Sequence, residues 1–495
     1  MTKTLIVIGA GIAGLSAGIY AQLNGFKTTL FEMHDKPGGY CTAWSRKGFT
    51  FDYSIHNLVG TAPGTQLRKM WDELGALDGA NILNHPEFVR VESPDGRSFT
   101  VYGNIARTGE ELRRVSPEDE ELVRDYERTA RKVADMDPFA MLASESKLGM
   151  LKALPRLPLL MRLIKRSMAD YGQEFTDPFL KRAFPVTQYG IADIPLAIHF
   201  IFVGGMDRGD LGWPRGGSLA FARNMERRFV ELGGEVRFRN RVDKILVRDD
   251  RAVGVRLEDG TEHYADAVIS AADGRSTIFD MLDGRYVNDV IRDYYTSGWE
   301  PELMDFGLQV AMGVDRDLVG EPHALSMFLD EPIDVDGRPR DRLDLELYSS
   351  ETGMAPEGKG VIKAIFSSSY DHWRTAKAEG RYEGEKRRVA DAVLSRLEGR
   401  FPGLKEQVEV VDVCTMLTAE RFTANYHGMQ AWGHRTAQKQ VSSKGLSRTL
   451  PGLDAFYMAG QWAEATIGLQ TAALSGRRAV RNLCKDEGIK FVSGR

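Results

Sequence analysis

The residues with the clearest chemical meaning stand near the start of the chain. Gly9-Ala10-Gly11-Ile12-Ala13-Gly14 follows directly on a run of branched apolar residues, Thr4 to Ile8, and leads into a helical pattern that reaches about Leu23, with Gly25 beyond it. A buried strand, a tight glycine turn and a helix whose first N–H groups are unpaired together form a site for a pyrophosphate. In such a turn Gly9 bends the chain, Gly11 admits the phosphates, and Gly14 lets the helix pack on the strand. Thr28 to Phe31 read as the second strand, closed by Glu32, whose carboxylate can accept hydrogen bonds from both hydroxyls of a ribose. An acid at this place repels the ribose phosphate of NADP. Strand, glycines, helix, strand and acid in this order specify a dinucleotide far more sharply than glycines alone.

A chain of 495 residues exceeds what one hydrophobic core serves, so two domains are expected around this site. With 42% hydrophobic and 27% charged residues, disorder and fibrous repeats are excluded. A net charge of -5 offers no general attraction for polyanions, and nucleic acid is not an expected partner. Cys41, Cys414 and Cys484 lie far apart and form no CxxC pair, which suggests neither a disulfide framework nor a zinc site. The longest uncharged apolar stretch, Ile194 to Met206, falls short of the roughly 20 residues that cross a bilayer as a helix. A cytoplasmic location with peripheral membrane contact is expected.

Further motifs follow the ribose acid. A second glycine pair occurs in Lys36-Pro37-Gly38-Gly39-Tyr40, and Gly48-Phe49-Thr50-Phe51-Asp52-Tyr53-Ser54-Ile55-His56 comes soon after. Gly212-Trp213-Pro214-Arg215-Gly216-Gly217-Ser218 precedes a helix ending at Gly233-Gly234; Arg241 to Ile245 and Val268 to Asp273 are strand-like. Ala455 to Gly460, then Gly468-Leu469-Gln470-Thr471-Ala472-Ala473-Leu474-Ser475-Gly476, form a strand end and the start of a helix rich in small residues. On these residues the chain resembles FAD-containing oxidoreductases of the amine oxidase and phytoene desaturase superfamily, including carotenoid desaturases, carotenoid isomerases and retinol saturases.

The resemblance covers nearly the whole chain and implies FAD as cofactor. It places Gly38 and Gly39 along the FAD pyrophosphate, with Tyr40 standing where the family usually has arginine. It places the backbone of Val242 at the adenine, and Gly460, Gln461, Gly468, Leu469, Gln470 and Thr471 at the flavin. A helix start at the flavin pyrimidine edge suits the chemistry, because reduced flavin carries negative charge there. The implied fold is α/β: a discontinuous Rossmann-type FAD-binding domain over 1–75, 211–294 and 446–495, with an inserted α+β substrate domain of mixed or antiparallel sheet plus helices over 76–210 and 295–445. No second GxGxxG is present, so the redox partner stays open among quinone, oxygen and a soluble nicotinamide.

Inside the later insertion, Phe306 to Met312, Leu343 to Tyr348 and Val361 to Phe366 alternate with the period of strands that bury one face. The substrate cavity is expected between that sheet and the flavin. From Pro138 to Asp170, six basic residues (Lys147, Lys152, Arg156, Arg162, Lys165, Arg166) face two acids, Glu145 and Asp170. From Pro158 on, Leu160, Leu163 and Ile164 share one helical face, which fits either a helix lying in a headgroup layer or one packed on the body. Lipophilic polyene substrates, which the resemblance implies, favour membrane contact over 138–170. Ala183 to Met206 adds Phe184, Tyr189, Ile194, Leu196, Ile198, Phe200, Ile201 and Phe202, part core and part tunnel for an isoprenoid chain.

The candidate catalytic residues are Glu464, His56 and Arg215. Glu464 would carry protons if burial raised its pKa; His56 would act as acid or base, or make a fixed hydrogen bond; Arg215 would hold the flavin or stabilise an allylic intermediate. Tyr426, His427 and Trp432 are placed on the substrate side by chain position alone. The expected function is FAD-dependent desaturation, saturation or isomerisation of carbon–carbon bonds in a hydrophobic polyene or isoprenoid. An amine oxidase-like enzyme on a smaller polar substrate, and a membrane-associated scaffold that keeps FAD for stability, are the alternatives.

Overall fold

The structure is a computed structural model and describes residues 2–136, 157–296, 307–429, 447–464 and 468–494. Its centre is a five-stranded parallel sheet in the order Glu235–Arg237, Lys27–Phe31, Thr4–Ile8, Ala267–Ser270, Phe456–Met458. The period of two along Thr4–Ile8 explains why the run is apolar throughout. Leu5 and Val7 enter the core beneath the helices, whereas Ile6 and Ile8 enter a separate core shared with Val242, Ile245 and Val255. Both faces are covered, so neither tolerates polar residues.

Three helices cover the first face: Ile12–Leu23, Gly217–Glu231 and the C-terminal Leu469–Asp486. The antiparallel strands Val242–Arg248, Arg251–Leu257 and Glu262–Tyr264 cover the other. The sheet thus draws on early, middle and late stretches of chain, making an α/β, discontinuous Rossmann-type domain.

The inserted α+β domain carries a seven-stranded sheet in the order Val408–Cys414, Leu308–Val314, Gly360–Phe366, Arg338–Ser349, Ala324–Val335, Glu87–Glu92, Ser98–Tyr102. All its pairings are antiparallel except that of Ala324–Val335 with Glu87–Glu92, which joins the two insertions. The expected strands at 306–312, 343–348 and 361–366 are present, the first from Leu308, with Phe306 outside the described residues. They differ from expectation in burial: Leu308–Val314 is buried along its whole length and Gly360–Phe366 nearly so. One face packs on Trp373, Val389, Val393 and Leu397 of the helices that follow. The other meets the strand Phe49–Asp52, where a Cβ on Gly313 would lie 2.5 Å from the Phe49 ring.

Asp52 locks the two domains together. Its Oδ2 accepts the backbone N–H of Ser218 at 2.6 Å and its Oδ1 accepts the Ser218 hydroxyl at 2.6 Å, while its carbonyl accepts Lys363 Nζ at 2.8 Å from the inserted sheet. The phenylalanine–aspartate and double-glycine motifs are therefore two halves of one contact. Gly217 has φ +66°, and a Cβ there would stand 2.1 Å from Asp52 Oδ2. Gly217→Ala is expected to cost about 1–3 kcal/mol through backbone strain and displacement of that carboxylate. Thermal unfolding checks this against Gly25→Ala, which has positive φ but open space around it and should cost less.

Candidate functional site

The first glycine turn opens on a cavity of about 1000 Å³, at the upper end of the range common for small-molecule sites. Gly9, Gly11, Ile12 and Ala13 line it. Gly11 caps the first helix without a side-chain hydrogen bond, so the helix N–H groups face the cavity. Gly14 lies behind the lining, one turn into the helix. The second glycine pair is held against this turn: Gly38 N–H donates to Ala10 O at 2.8 Å, and Gly38, Gly39 and Tyr40 join the lining. Tyr40 stacks on Tyr53 with ring centroids 5.4 Å apart.

Glu32 also lines the cavity. Its carboxylate accepts the backbone N–H of Ala10 at 2.7 Å and of His34 at 2.8 Å. Burial raises its pKa, with those two N–H groups opposing the rise. Each oxygen keeps a second lone pair, so ribose hydroxyls can still be accepted. Val242 and the adjoining Asn240 and Arg241 lie along the same cavity. So does Asp273, a residue without an assigned role in the sequence; burial pushes it up to about 6, against hydrogen bonds from the backbone N–H groups of Ser276 and Tyr426.

The late part of the chain closes the far side. Gly460, Gln461 and Trp462 line the cavity where the last parallel strand ends, and Gly460 N–H is held at 2.7 Å by Ser475 Oγ of the C-terminal helix. Gly468, Leu469, Gln470, Thr471 and Ala472 line it as that helix begins, again with no side-chain cap at Gly468. Two helix N-termini thus point into one cavity, a setting for negative charge.

The three catalytic candidates fare differently. His56 lines the cavity, with Nδ1 hydrogen-bonded to Glu346. Glu464 also lines it, but its carboxylate is clamped between Arg448 at 2.5 Å and Arg478 at 2.6 Å. Both oxygens are thus engaged by guanidinium groups, which fixes the side chain at the cavity edge. Arg215 is exposed beside Gly353 and lies outside the lining. It is not placed to hold a flavin or an intermediate; its backbone N–H donates to Asn81 O at 2.8 Å. His427 stacks on Tyr426 and on Tyr370, neither Tyr426 nor His427 is in the lining, and Trp432 lies outside the described residues.

The apolar segment sorts cleanly. Tyr189, Ile191, Ile194, Ile198, Ile201 and Phe202 line the cavity, the last three on one face of the helix Leu196–Asp207. Phe184, Leu196 and Phe200 turn the other way into the core, each at most 1% exposed. Sequence reasoning missed Glu346 and Lys363, which meet at 2.6 Å behind His56. Both stand in strands whose polar positions read as solvent-facing, and no local signal marks them.

Residues 12–278 match the model of the flavin containing amine oxidoreductase family. The chain is 26% identical to prolycopene isomerase 1 of an Oncidium hybrid cultivar, covering 98% of this chain and 84% of that protein. It is 28% identical to the lycopene-forming phytoene desaturase of Pantoea ananas over 86% of this chain and 88% of that one. An oxidoreductase from Methanosarcina mazei shares the fold, with a TM-score of 0.61 at 18% identity over 97% of this chain and all of that one. With a strand, glycine turn and ribose acid at one side of the cavity and an uncapped helix start at the other, the chain belongs to the flavin containing amine oxidoreductase family as an FAD-dependent oxidoreductase.

Proposed function

We propose that this protein desaturates, saturates or isomerises carbon–carbon bonds of a lipophilic polyene of the carotenoid class. The observation that carries the reading is that one cavity is lined both by the dinucleotide turn and by an apolar wall of isoleucines, Tyr189 and Phe202. The whole-length likeness to a prolycopene isomerase and a phytoene desaturase supports it. Bound FAD supplies two-electron chemistry. Gly9, Gly11, Gly38 and Gly39 would lie along its pyrophosphate, Glu32 would accept its ribose hydroxyls, and Val242 would meet its adenine. Gly460, Gln461 and Gly468 to Thr471 would hold the flavin, the helix dipole favouring the charge that reduction brings. The apolar wall excludes water and keeps the reacting carbons positioned.

The exposed side of the helix Leu157–Ile164 supports delivery of such a substrate from a membrane. Leu160 and Leu163 are buried, whereas Leu157, Met161 and Ile164 are 45%, 44% and 50% exposed in one stripe. Ile164 therefore belongs with the exposed stripe and not with Leu160 and Leu163 as the sequence pattern suggested. Exposed Arg162 and Lys165 complete an amphipathic surface for an anionic headgroup layer. Lys147, Lys152 and Arg156 lie outside the described residues. This helix packs on Leu196–Asp207, whose inner face is the cavity wall. No helix among the described residues is long and apolar enough to cross a membrane.

Three outcomes are expected. Anaerobic incubation of the holoenzyme with phytoene or prolycopene in liposomes should change the polyene spectrum; unchanged polyenes there, together with peroxide release from an amine in a separate aerobic assay, would overturn the reading. Glu32→Gln should weaken FAD binding to the deflavinated protein by about ten- to a hundredfold. In the wild type, affinity should be full above the raised Glu32 pKa of the flavin-free protein and decline as pH falls through it, because the protonated acid loses acceptor capacity; Glu32→Gln should flatten this decline in calorimetric titrations. Replacing Leu157, Met161 and Ile164 together by Asn should reduce co-sedimentation with anionic vesicles by about tenfold or more while leaving the melting temperature nearly unchanged.

A further inference from the structure

His56 stands in the wall between two cavities. The second, of about 370 Å³, shares His56, Asn57, Tyr189 and Ile191 with the first; Ser326, Arg342, Asp344 and Glu346 form a polar cluster in its lining, beside apolar residues such as Phe88 and Leu345. His56 Nδ1 bonds Glu346 Oε1, and the other oxygen of Glu346 accepts Lys363 Nζ at 2.6 Å and Tyr348 Oη at 2.5 Å. Lys363 is 1% and Glu346 6% exposed in their side chains. The charged and titratable groups around the pair are Lys363 and Tyr348 on the sheet, His323 beside it with His85 stacked on its ring, Asp52 beyond Lys363, and Tyr189, whose ring lies 5.4 Å from that of His56. Burial alone would raise Glu346, but His56 and Lys363 hold it well below the usual carboxylate range.

We propose that His56 and Glu346 form an acid–base dyad that passes a proton between a polyene carbon in the flavin cavity and the second cavity behind it. The proposal rests on the polyene reading above. An ionised carboxylate at Nδ1 fixes the proton on that nitrogen, which leaves Nε2 with its lone pair, and it stabilises the imidazolium once a proton is taken. In the desaturating direction two hydrogens leave adjacent carbons. One would leave as hydride, for which bound oxidised FAD would be the acceptor; the other would leave as a proton to Nε2, the electron pair of that C–H bond becoming the second bond of the new alkene. In the saturating direction His56 would return the proton to the carbon next to the one that receives the hydride from the bound, reduced cofactor. His56 lines both cavities, so its imidazolium can release the proton on the side of the second one while Glu346 stays ionised and no water enters the apolar side. Glu346 acts through His56 and is a positioning residue.

The test uses the holoenzyme with phytoene and prolycopene as probes. His56→Gln should lower kcat by about a hundredfold or more with KM changed less than threefold, the range of general acid–base catalysis. Glu346→Gln should lower kcat less, because the imidazolium loses its counter-ion, and Glu346→Asp should restore part of the loss. Nitrogen NMR of histidine-labelled wild type, which needs no variant to fold, should show His56 as the Nδ1–H tautomer. A proton on Nε2 in neutral His56, or polyene conversion by His56→Gln within threefold of wild type, overturns the dyad and leaves the polyene reading intact. No conversion by the wild type overturns the polyene reading, and the dyad with it.

Discussion

The close packing of the C-terminal helix across the first helix is the constraint on which the site depends. Ser16 Oγ donates to Ala473 O at 2.7 Å, and a Cβ on Gly476 would stand 2.3 Å from the carbonyl of Ala13. At that separation only small residues fit, which is why Ala472, Ala473, Ser475 and Gly476 follow one another. The packing brings two uncapped helix starts, at Gly11 and Gly468, to the same cavity although the whole inserted domain lies between them in sequence. The entropic cost of closing such a long loop grows only logarithmically with its length, so a large insertion is compatible with a tight seam.

That seam explains which features could be read from the sequence. The glycine turn, the two strands and Glu32 are local: each element's type follows from residues within a few positions of it, and the pyrophosphate chemistry follows from the element order. The alternating runs of the inserted sheet are local in the same sense, though their burial is not. A strand's second face is set by whatever packs on it, here Phe49 and its hairpin, and no pattern within Leu308–Val314 announces that. Arg215 and Glu464 show the same division. Both stand in motifs resembling flavin-binding segments, but where a side chain points depends on distant partners: Arg448 and Arg478 for Glu464, open solvent for Arg215.

Glu346 and Lys363 are the plainest case of a non-local site. In sequence each is a polar residue within an alternating strand, indistinguishable from one that faces water. In the fold they face a partner across the sheet, and Lys363 also reaches the carbonyl of Asp52. A buried ion pair is weak evidence for stability, because desolvation offsets most of the attraction, and hydrophobic residues of similar size would often serve the fold as well. Retaining one against the wall of a cavity, with a histidine as third member, points to a use other than holding the sheet together.

In the proposed reading the helix Leu196–Asp207 would join substrate entry to chemistry. Its Ile198, Ile201 and Phe202 form the apolar wall, while the helix packed on it carries the exposed stripe of Leu157, Met161 and Ile164. A polyene leaving a bilayer at that stripe would need to pass only one helix layer to reach the wall. Once there it would meet isoleucines on one side and the imidazole of His56 at the boundary with the second cavity. In that proposal a single hydrogen-bonded imidazole would stand between the apolar wall and the polar cluster, so that carbon chemistry and proton exchange would proceed on its two sides, the low-dielectric side keeping electrostatic interactions strong.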